Sequence, residues 1–335
     1  MSNSRDKTLL APNFASEFVN LGIDVFDYIQ SDYFDDLTTL KKIFHKVNPN
    51  YFYKNINKKL LEQVSNIKPD VLLIFKGMET FPETLKIIKS YGIKVVNYNP
   101  DHPFDYLSKG SGNNNVLNSI PIYDLHICYS RKIAKDLERK YPTIRTSILP
   151  FGYALTEDEY NGILNEEEVN KVCFVGFADK ERADFIENLK QHGYHVDVYG
   201  SNWDRYFSKS DQFISIYKSV SGLEYYKTLR KYRVQLNILR KHNEDSHNMR
   251  SFEVPAAGGI MLAPYTSEHN SFFKNEVEAF FYDSKEMMFN YLNYLLSLPV
   301  KDANIIRKNA RFRSIDSKYD YPSRAKELHQ ILTNL

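Results

Sequence analysis

The sequence predicts an α/β protein built from two doubly wound, Rossmann-like domains facing across a cleft. Three observations carry this. Short apolar runs of strand length alternate with amphipathic helical stretches, several runs stop at a glycine, and the alternation pauses once over an acidic segment before restarting. Short, wholly apolar strands separated by helices imply parallel sheets covered on both faces. A chain of 335 residues is comfortable for two such domains, each large enough for its own core.

In the first half, Ile23 to Ile29 reads as a strand behind a helix containing Phe14 to Leu21. Leu37 to Val47 and Ile56 to Ile67 carry helical periodicity. Val71 to Phe75 is a short apolar strand running into Lys76-Gly77. Pro82 to Tyr91 is a helix opened by proline and closed by Gly92. Val95 to Tyr98, Leu125 to Tyr129 and Ile144 to Leu149 are further strands, and Ser130 caps the helix Arg131 to Lys140. A doubly wound domain ordinarily opens with a buried strand. Met1 to Lys7 has no such run, so either Thr8 to Leu10 is a vestige or the chain starts inside the domain.

Gly152 to Asn170 is acidic, lacks a long apolar run and reads as a linker. The pattern resumes with strands at Val172 to Val175, His195 to Tyr199, Val234 to Leu239, Ile260 to Ala263 and Ala279 to Tyr282. Helices are expected over Glu181 to Gln191, Leu223 to Tyr232, Arg250 to Ala257, Lys285 to Ser297, Ala303 to Arg311 and Pro322 to Leu332. The expected organisation is a domain over 1–151, a linker over 152–170, a second domain over 171–317 and a terminal helix over 318–335. Ligands of such sheets bind beyond the carboxyl ends of the strands, which places the expected site in the cleft.

Composition narrows the function classes. The chain is 42% apolar and 26% charged, as soluble globular proteins are, and its net charge of +2 provides no field for nucleic acid. Cys128 and Cys173 lie in apolar strand-like runs and read as buried thiols of a reducing compartment. No apolar stretch approaches the ~20 residues that span a bilayer, and Met1 to Lys7 has no signal-like apolar region, so a cytoplasmic protein is expected. Lys41, Lys42, Lys46, Lys54, Lys58 and Lys59 form either a solvated helix face or a weak peripheral contact with a membrane surface.

The most informative segment is Asn248 to Gly259, followed at once by a strand. It sets Arg250 and Glu253 at the head of a short helix. A helix N-terminus attracts phosphate, and a carboxylate one turn in can accept hydrogen bonds from both hydroxyls of a ribose. The plainer readings are a first-turn Glu253 that complements the helix dipole and an Arg250 ion-paired with Glu253 or Asp245. Pro255 is taken as support for a helix start. Asp245, eight residues before Glu253 and beside Glu244 and His247, either faces a donor sugar or belongs to a polar loop from Lys241 to His247. Gly176 at a strand end lets backbone amides approach a phosphate, and Arg182 on the next helix can neutralise it, although any doubly wound fold needs such a turn. Gly200-Ser201-Asn202-Trp203 carries the one tryptophan, which either packs beside a nucleobase or seals the core.

In the first half, Asn99-Pro100-Asp101-His102-Pro103 follows a strand. Asp101 and His102 are candidates for deprotonating an acceptor or touching a sugar, against a purely conformational turn. Lys76-Gly77 can face the same cleft, and the polar stretch Ser108 to Asn115 is an acceptor loop or without a role. No Cys/His spacing suits zinc and no Asp-rich triplet suits magnesium. There is no Gly-x-Gly-x-x-Gly after a strand, no P-loop and no Gly-x-Ser-x-Gly, against a dehydrogenase, a kinase and an α/β-hydrolase respectively.

Four stretches, V-C-F-V-G-F-A-D-K-E-R (172–182), V-D-V-Y-G-S-N-W (196–203), V-Q-L-N-I-L (234–239) and N-M-R-S-F-E-V-P-A-A-G-G-I-M-L (248–262), resemble in order and spacing the CgeB-like family of group 1 glycosyltransferases, named for a spore maturation protein. The resemblance covers Val172 to the C-terminus and is looser before it. It implies a GT-B fold with the acceptor side first, a nucleotide-diphosphate sugar as donor and no metal. It further implies Glu253 on the ribose, Arg250, Asn248 and Gly176 on the diphosphate, Asp245 on the donor sugar, and a last helix from Tyr321 to Leu335 crossing back to the first domain. The acceptor expected is a surface polysaccharide, glycolipid or protein, with retention of configuration preferred. Two rivals stand beside this: a sugar-nucleotide epimerase on the same fold, and a non-catalytic carbohydrate-binding or assembly protein with a decayed site.

Overall fold

The computed structural model describes residues 10–29, 48–104, 112–240 and 245–335. Thr8 and Leu9, the helix Leu37 to Val47 with Lys41, Lys42 and Lys46, residues 108–111 of the Ser108 to Asn115 stretch, and Glu244 lie outside the described residues. The chain divides into two compact units, Met1–Pro150 with Tyr321–Leu335, and Phe151–Asp320.

The first unit holds a parallel sheet of β1 (Val71–Phe75), β2 (Lys94–Asn99), β3 (Leu125–Cys128) and β4 (Thr146–Ile148), in that order across the sheet. Helix Pro49–Ile67 packs Tyr53, Ile56, Leu60 and Val64 against Leu72, Ile74 and Val95. It starts about two turns before the periodicity suggests, because Pro49 supplies a ready-made first turn. The helix ends where Lys68 turns left-handed, at φ 52°. On another side, Phe14 of helix Leu10–Asn20 meets Phe75, Tyr98 and Tyr321 at ring separations of 6.1, 5.8 and 5.7 Å. The C-terminal helix Tyr321–Thr333 therefore belongs to the first unit. Ile23 to Ile29, expected as a strand, carries only a β-bridge at Ile29. Its residues share with β1 the lining of a cavity of about 790 Å³, and the Ile23 amide donates to the Phe18 carbonyl at 3.0 Å, tying the run to the end of the preceding helix.

The second unit holds a six-stranded parallel sheet in the order β10–β9–β8–β5–β6–β7. Its strands are β5 (Val169–Val175), β6 (Val196–Tyr199), β7 (Ile214–Tyr217), β8 (Tyr232–Leu236), β9 (Met261–Pro264) and β10 (Phe280–Tyr282). Chain order moves outward from β5 to β7, then reverses to β8 on the other side of β5. The reversal makes the crevice beyond β5 and β8 the topological switch point, where ligands of this architecture bind. Val172, Phe174, Val196, Val198, Val234 and Leu236 fill the core with Ile186, Leu189, Leu292 and Leu295 from the covering helices.

The acidic stretch read as a linker is structured. Thr156 and Glu159 form a capping box for helix Glu157–Gly162. Glu168 accepts hydrogen bonds from the buried Arg233 and Arg307, and Glu157 accepts one from Arg311 at 2.5 Å. Its acids look solvated in sequence because their partners lie 65 to 154 residues away. Strand β7 and the short helix Ser267–Phe272 are additions that periodicity does not show. No helix among the described residues is long and apolar enough to cross a membrane.

Candidate functional site

The candidate site lies at the switch point of the second unit. Strand β5 runs into Gly176, whose amide donates to the Tyr199 carbonyl at 2.7 Å. Gly200, at the end of β6, takes φ +143°, and a Cβ there would stand 2.2 Å from the Gly176 oxygen. Only glycine lets these two strand ends meet so closely. Trp203 donates its indole N–H to the same Gly176 carbonyl at 2.8 Å and is fully buried between Phe174 and Phe207. This corrects the expected nucleobase contact, since a ring with no exposed face offers none to a ligand. Trp203 instead fixes the turn that carries Gly176. Trp203→Phe keeps the ring in the core but orphans that carbonyl, so unfolding free energy should fall by about 1–3 kcal/mol in urea titration. A drop below 0.5 kcal/mol, estimated as ~0.5 for an ordinary surface change, would contradict this role.

Three guanidinium groups converge on this turn. Arg182 is buried, donates Nη1–H to the Phe177 carbonyl at 3.0 Å, and lies over the Phe174 and Phe177 rings at 5.3 and 5.0 Å. Arg250 also lies over Phe174, at 5.4 Å, and a Cβ on residue 176 would stand 2.7 Å from its Nη2. Arg240, just beyond β8, covers Phe177 at 4.6 Å and donates to Asp179 Oδ2 at 3.3 Å. Asp179 is the carboxylate that both Arg182 and Arg240 contact, and it also caps helix Lys180–Gln191. The Nε atoms of all three arginines are buried without a hydrogen-bond partner. Burial, with Arg250 and Arg240 adding repulsion, lowers the Arg182 pKa to about 9. Such a cluster is short of negative charge, and a multiply charged anion matches what it lacks.

The helix carrying Arg250 differs in detail from expectation. It spans Arg250–Ala256, and Pro255 stands in its last turn, not at its start. The amide of Ser251 donates to Asn248, and those of Phe252 and Glu253 donate to the Met249 carbonyl. The first-turn amides are thus engaged within the protein, which leaves the guanidinium groups as the cationic donors at this turn. Asn248, expected on the diphosphate, is engaged too. Its Nδ2 donates to Asn237 Oδ1 at 2.7 Å and its Oδ1 accepts from the Ser251 amide at 3.2 Å. Ser251 Oγ in turn accepts from Asn237 Nδ2 at 3.0 Å and contacts His269 Nε2 at 2.8 Å. His269 Nδ1 sits 3.0 Å from the Pro264 carbonyl, so Nδ1 carries the proton and Nε2 accepts from Ser251. Asn248 is therefore a brace for the helix.

Glu253 is half-buried on this helix. Tyr225 donates its hydroxyl to Oε2 at 2.7 Å, with no other side-chain partner among the described residues. Burial raises the Glu253 pKa, opposed by Tyr225 and Arg250. Asp245 is exposed, left-handed at φ 55°, and accepts from the Ser267 amide at 2.8 Å; it anchors the following helix start.

In the first unit, Asp101 is ion-paired with Lys76 at 2.7 Å. His102 is 2% exposed, with Nε2 3.5 Å from Asp136 and its ring edge-on to Phe104 at 4.6 Å. A ring so enclosed is a core element, which corrects its assignment as an acceptor-facing base.

Of the residues singled out from sequence, Gly176, Arg182, Arg250 and Glu253 stand in this site, while Trp203 and Asn248 support it from behind. Arg240 and Tyr225 were missed. Arg240 sits at a strand end, which could have flagged it; Tyr225 is one of 25 tyrosines and carried no signal.

Residues 181–330 match a family model described as glycosyl transferase-like. No curated protein matches the chain. Among solved structures, it is similar to HepE from Anabaena in complex with UDP, with 11% identity, a TM-score of 0.61 and coverage of 100% of this chain and 98% of that one. Sucrose-phosphate synthase from Thermosynechococcus elongatus gives 11% identity, a TM-score of 0.62 and coverage of 85% and 78%. UDP-GlcNAc 2-epimerase from Methanocaldococcus jannaschii gives 12%, 0.58, and 100% and 98%. At these identities the likeness concerns the fold, a two-domain Rossmann-like α/β architecture shared by GT-B transferases and epimerases.

Proposed function

We propose that the protein is a glycosyltransferase that binds a nucleotide-diphosphate sugar in its second unit and transfers the sugar to a hydroxyl-bearing acceptor, without a metal. The observation that carries this is the convergence of Arg182, Arg240 and Arg250, with buried Nε donors and a shortage of carboxylate, beside the Tyr225–Glu253 pair. The arginines suit a diphosphate. Glu253, with one oxygen taken by Tyr225, keeps the other for a ribose hydroxyl. UDP in the HepE structure makes uridine diphosphate the first nucleotide to try. As the glycosidic bond to the donor breaks, negative charge collects on the leaving diphosphate, and fixed guanidiniums stabilise it without reorganising. A polysaccharide, glycolipid or protein acceptor, a CgeB-like affiliation and a cytoplasmic setting belong to the same proposal.

Isothermal titration tests it. UDP or another nucleoside diphosphate is expected to bind, and Glu253→Ala to weaken it by about 10- to 100-fold while leaving inorganic pyrophosphate unaffected. Failure of every nucleoside diphosphate to bind sinks the reading and favours a decayed site. The epimerase likeness supports a second reading, distinguished by an isomerised nucleotide sugar formed with no acceptor present.

A further inference from the structure

One helix of the second unit carries apolar residues on both of its faces. Helix Val300–Asp316 buries Ala303, Ile306, Ala310 and Ser314 within the unit, and Arg311 on the same side donates to the Ala256 carbonyl at 3.1 Å. That face accounts for the helix's place in the fold. On the opposite face Ile305 is 52% exposed, Phe312 69% and Ile315 46%, and Phe312 is the most exposed large apolar side chain among the described residues. A single exposed apolar residue needs no explanation. Three along one strip of a helix whose core face is already filled call for a partner.

The strip has an order. Ile305 and Phe312 stand seven residues apart, nearly two turns, so they project from the same side of the helix. Four residues before Ile305 comes Lys301, and four after Phe312 comes Asp316. Both are exposed, and neither forms an ion pair among the described residues. From either end the strip reads charge, apolar, apolar, charge at the same spacing, with the signs exchanged. Such a strip is its own complement when a copy lies against it head to tail. A two-fold axis at the level of Lys308 and Asn309 produces that arrangement. Ile305 then meets Phe312 of the second copy, Lys301 comes beside Asp316 of the second copy, and each pair forms twice.

Charge also decides between occupants. On this exposed face Lys301 and Lys308 are offset by Asp302 and Asp316, so it presents no net field to an anionic lipid surface, which favours a basic face. Both signs in a self-matching order favour a second copy of this chain. We propose that helix Val300–Asp316 is the interface of a homodimer, in which two copies pair antiparallel through Ile305 and Phe312, flanked by Lys301 and Asp316. The two copies of Lys308 lie near the axis, where like charges oppose each other, and a single pair of helices buries little area. The expected dissociation constant is therefore on the order of 10 µM, that of a small, reversible interface. The inference does not rest on nucleotide binding.

Analytical ultracentrifugation of the full chain without nucleotide, from about 1 to about 200 µM, tests it. The native chain passes from monomer to dimer across this range. Phe312→Glu stays monomeric throughout, and because the side chain stands in solvent its circular dichroism and melting temperature in dilute solution match those of the native chain. Lys308→Leu tightens the dimer about five-fold or more, by removing the repulsion at the axis. Lys301→Asp and Asp316→Lys each weaken it about five-fold or more, and the two together restore it, because the exchanged charges face each other again. Only antiparallel pairing predicts that rescue, since a parallel pair sets each position against itself. Flotation with vesicles of phosphatidylserine and phosphatidylcholine is the contrasting arm, in which the native chain stays unbound. A native chain still monomeric at the highest concentration, a dimer that survives Phe312→Glu, a double exchange that fails to restore it, Lys308→Leu that does not tighten it, or flotation that Phe312→Glu abolishes overturns the proposal.

Discussion

Replacing Arg250 by alanine is expected to lower kcat/KM for transfer from a nucleotide sugar by about 100- to 1,000-fold, the loss typical of one preorganised donor to developing negative charge. Arg250 is half-buried with its guanidinium over Phe174, its enclosed Nε has no protein partner, and glycine at 176 provides the room for its Nη2. Its charge is unfavourable in the empty protein, because it adds to the repulsion at Arg182. The same substitution should therefore leave the melting temperature of the unliganded protein unchanged or raise it. Arg250→Lys should rescue little, since an ammonium neither stacks on the phenyl ring nor reaches two oxygens in one plane. Unaltered kcat/KM, or a destabilised empty protein with normal nucleotide affinity, would show that Arg250 is structural.

The contrast between the two units shows what the sequence makes legible. Val71 to Phe75 and Lys285 to Ser297 can be bounded from sequence because a buried parallel strand and an amphipathic helix each announce themselves locally, by a continuous apolar run or by period. Strand β8 begins at Tyr232, two residues before the apolar run, because Arg233 is buried in it through Glu168 and the carbonyls of Leu295 and Leu298, which only the fold brings near. Trp203 and His102 show the same limit. A tryptophan or histidine in a polar loop after a strand reads as a ligand contact, yet both rings turn inward on partners remote in sequence. That Arg250 and Glu253 share one place was legible because they lie within one helical turn of each other. Asn248 beside them was misassigned because its partner, Asn237, sits at the end of another strand.

Acidification should unfasten the helix that carries Arg250 and Glu253. His269 is fully enclosed, stacked on Phe281 at 5.3 Å, and burial first, with nearby His247 adding to it, lowers its pKa from 6.5 to about 4, against the pull of the Pro264 carbonyl and Glu268. The unfolded chain therefore binds a proton near pH 6.5 that the folded one refuses until about pH 4. This contribution to stability is complete above pH 6.5 and is lost as pH falls through that window, by about 3 kcal/mol in all. Protonation also turns Nε2 from an acceptor into a donor, so Ser251 loses the partner to which it gives its hydrogen, and the Asn237–Asn248 brace loosens with it. Urea unfolding from pH 4.5 to 7.5 should show a steep acid loss in the native protein and a shallower one in His269→Gln, whose side chain does not titrate. Carboxylates titrate in both proteins, so the difference between the two slopes isolates the imidazole. Nucleoside diphosphate affinity should fall over the same interval in the native protein, because Arg250 and Glu253, the diphosphate and ribose contacts in the proposed reading, both ride on the helix that Ser251 holds. Parallel slopes in the two proteins would mean that His269 accepts its proton in the folded state as readily as in the unfolded one, and the neutral hinge of this network would be wrong.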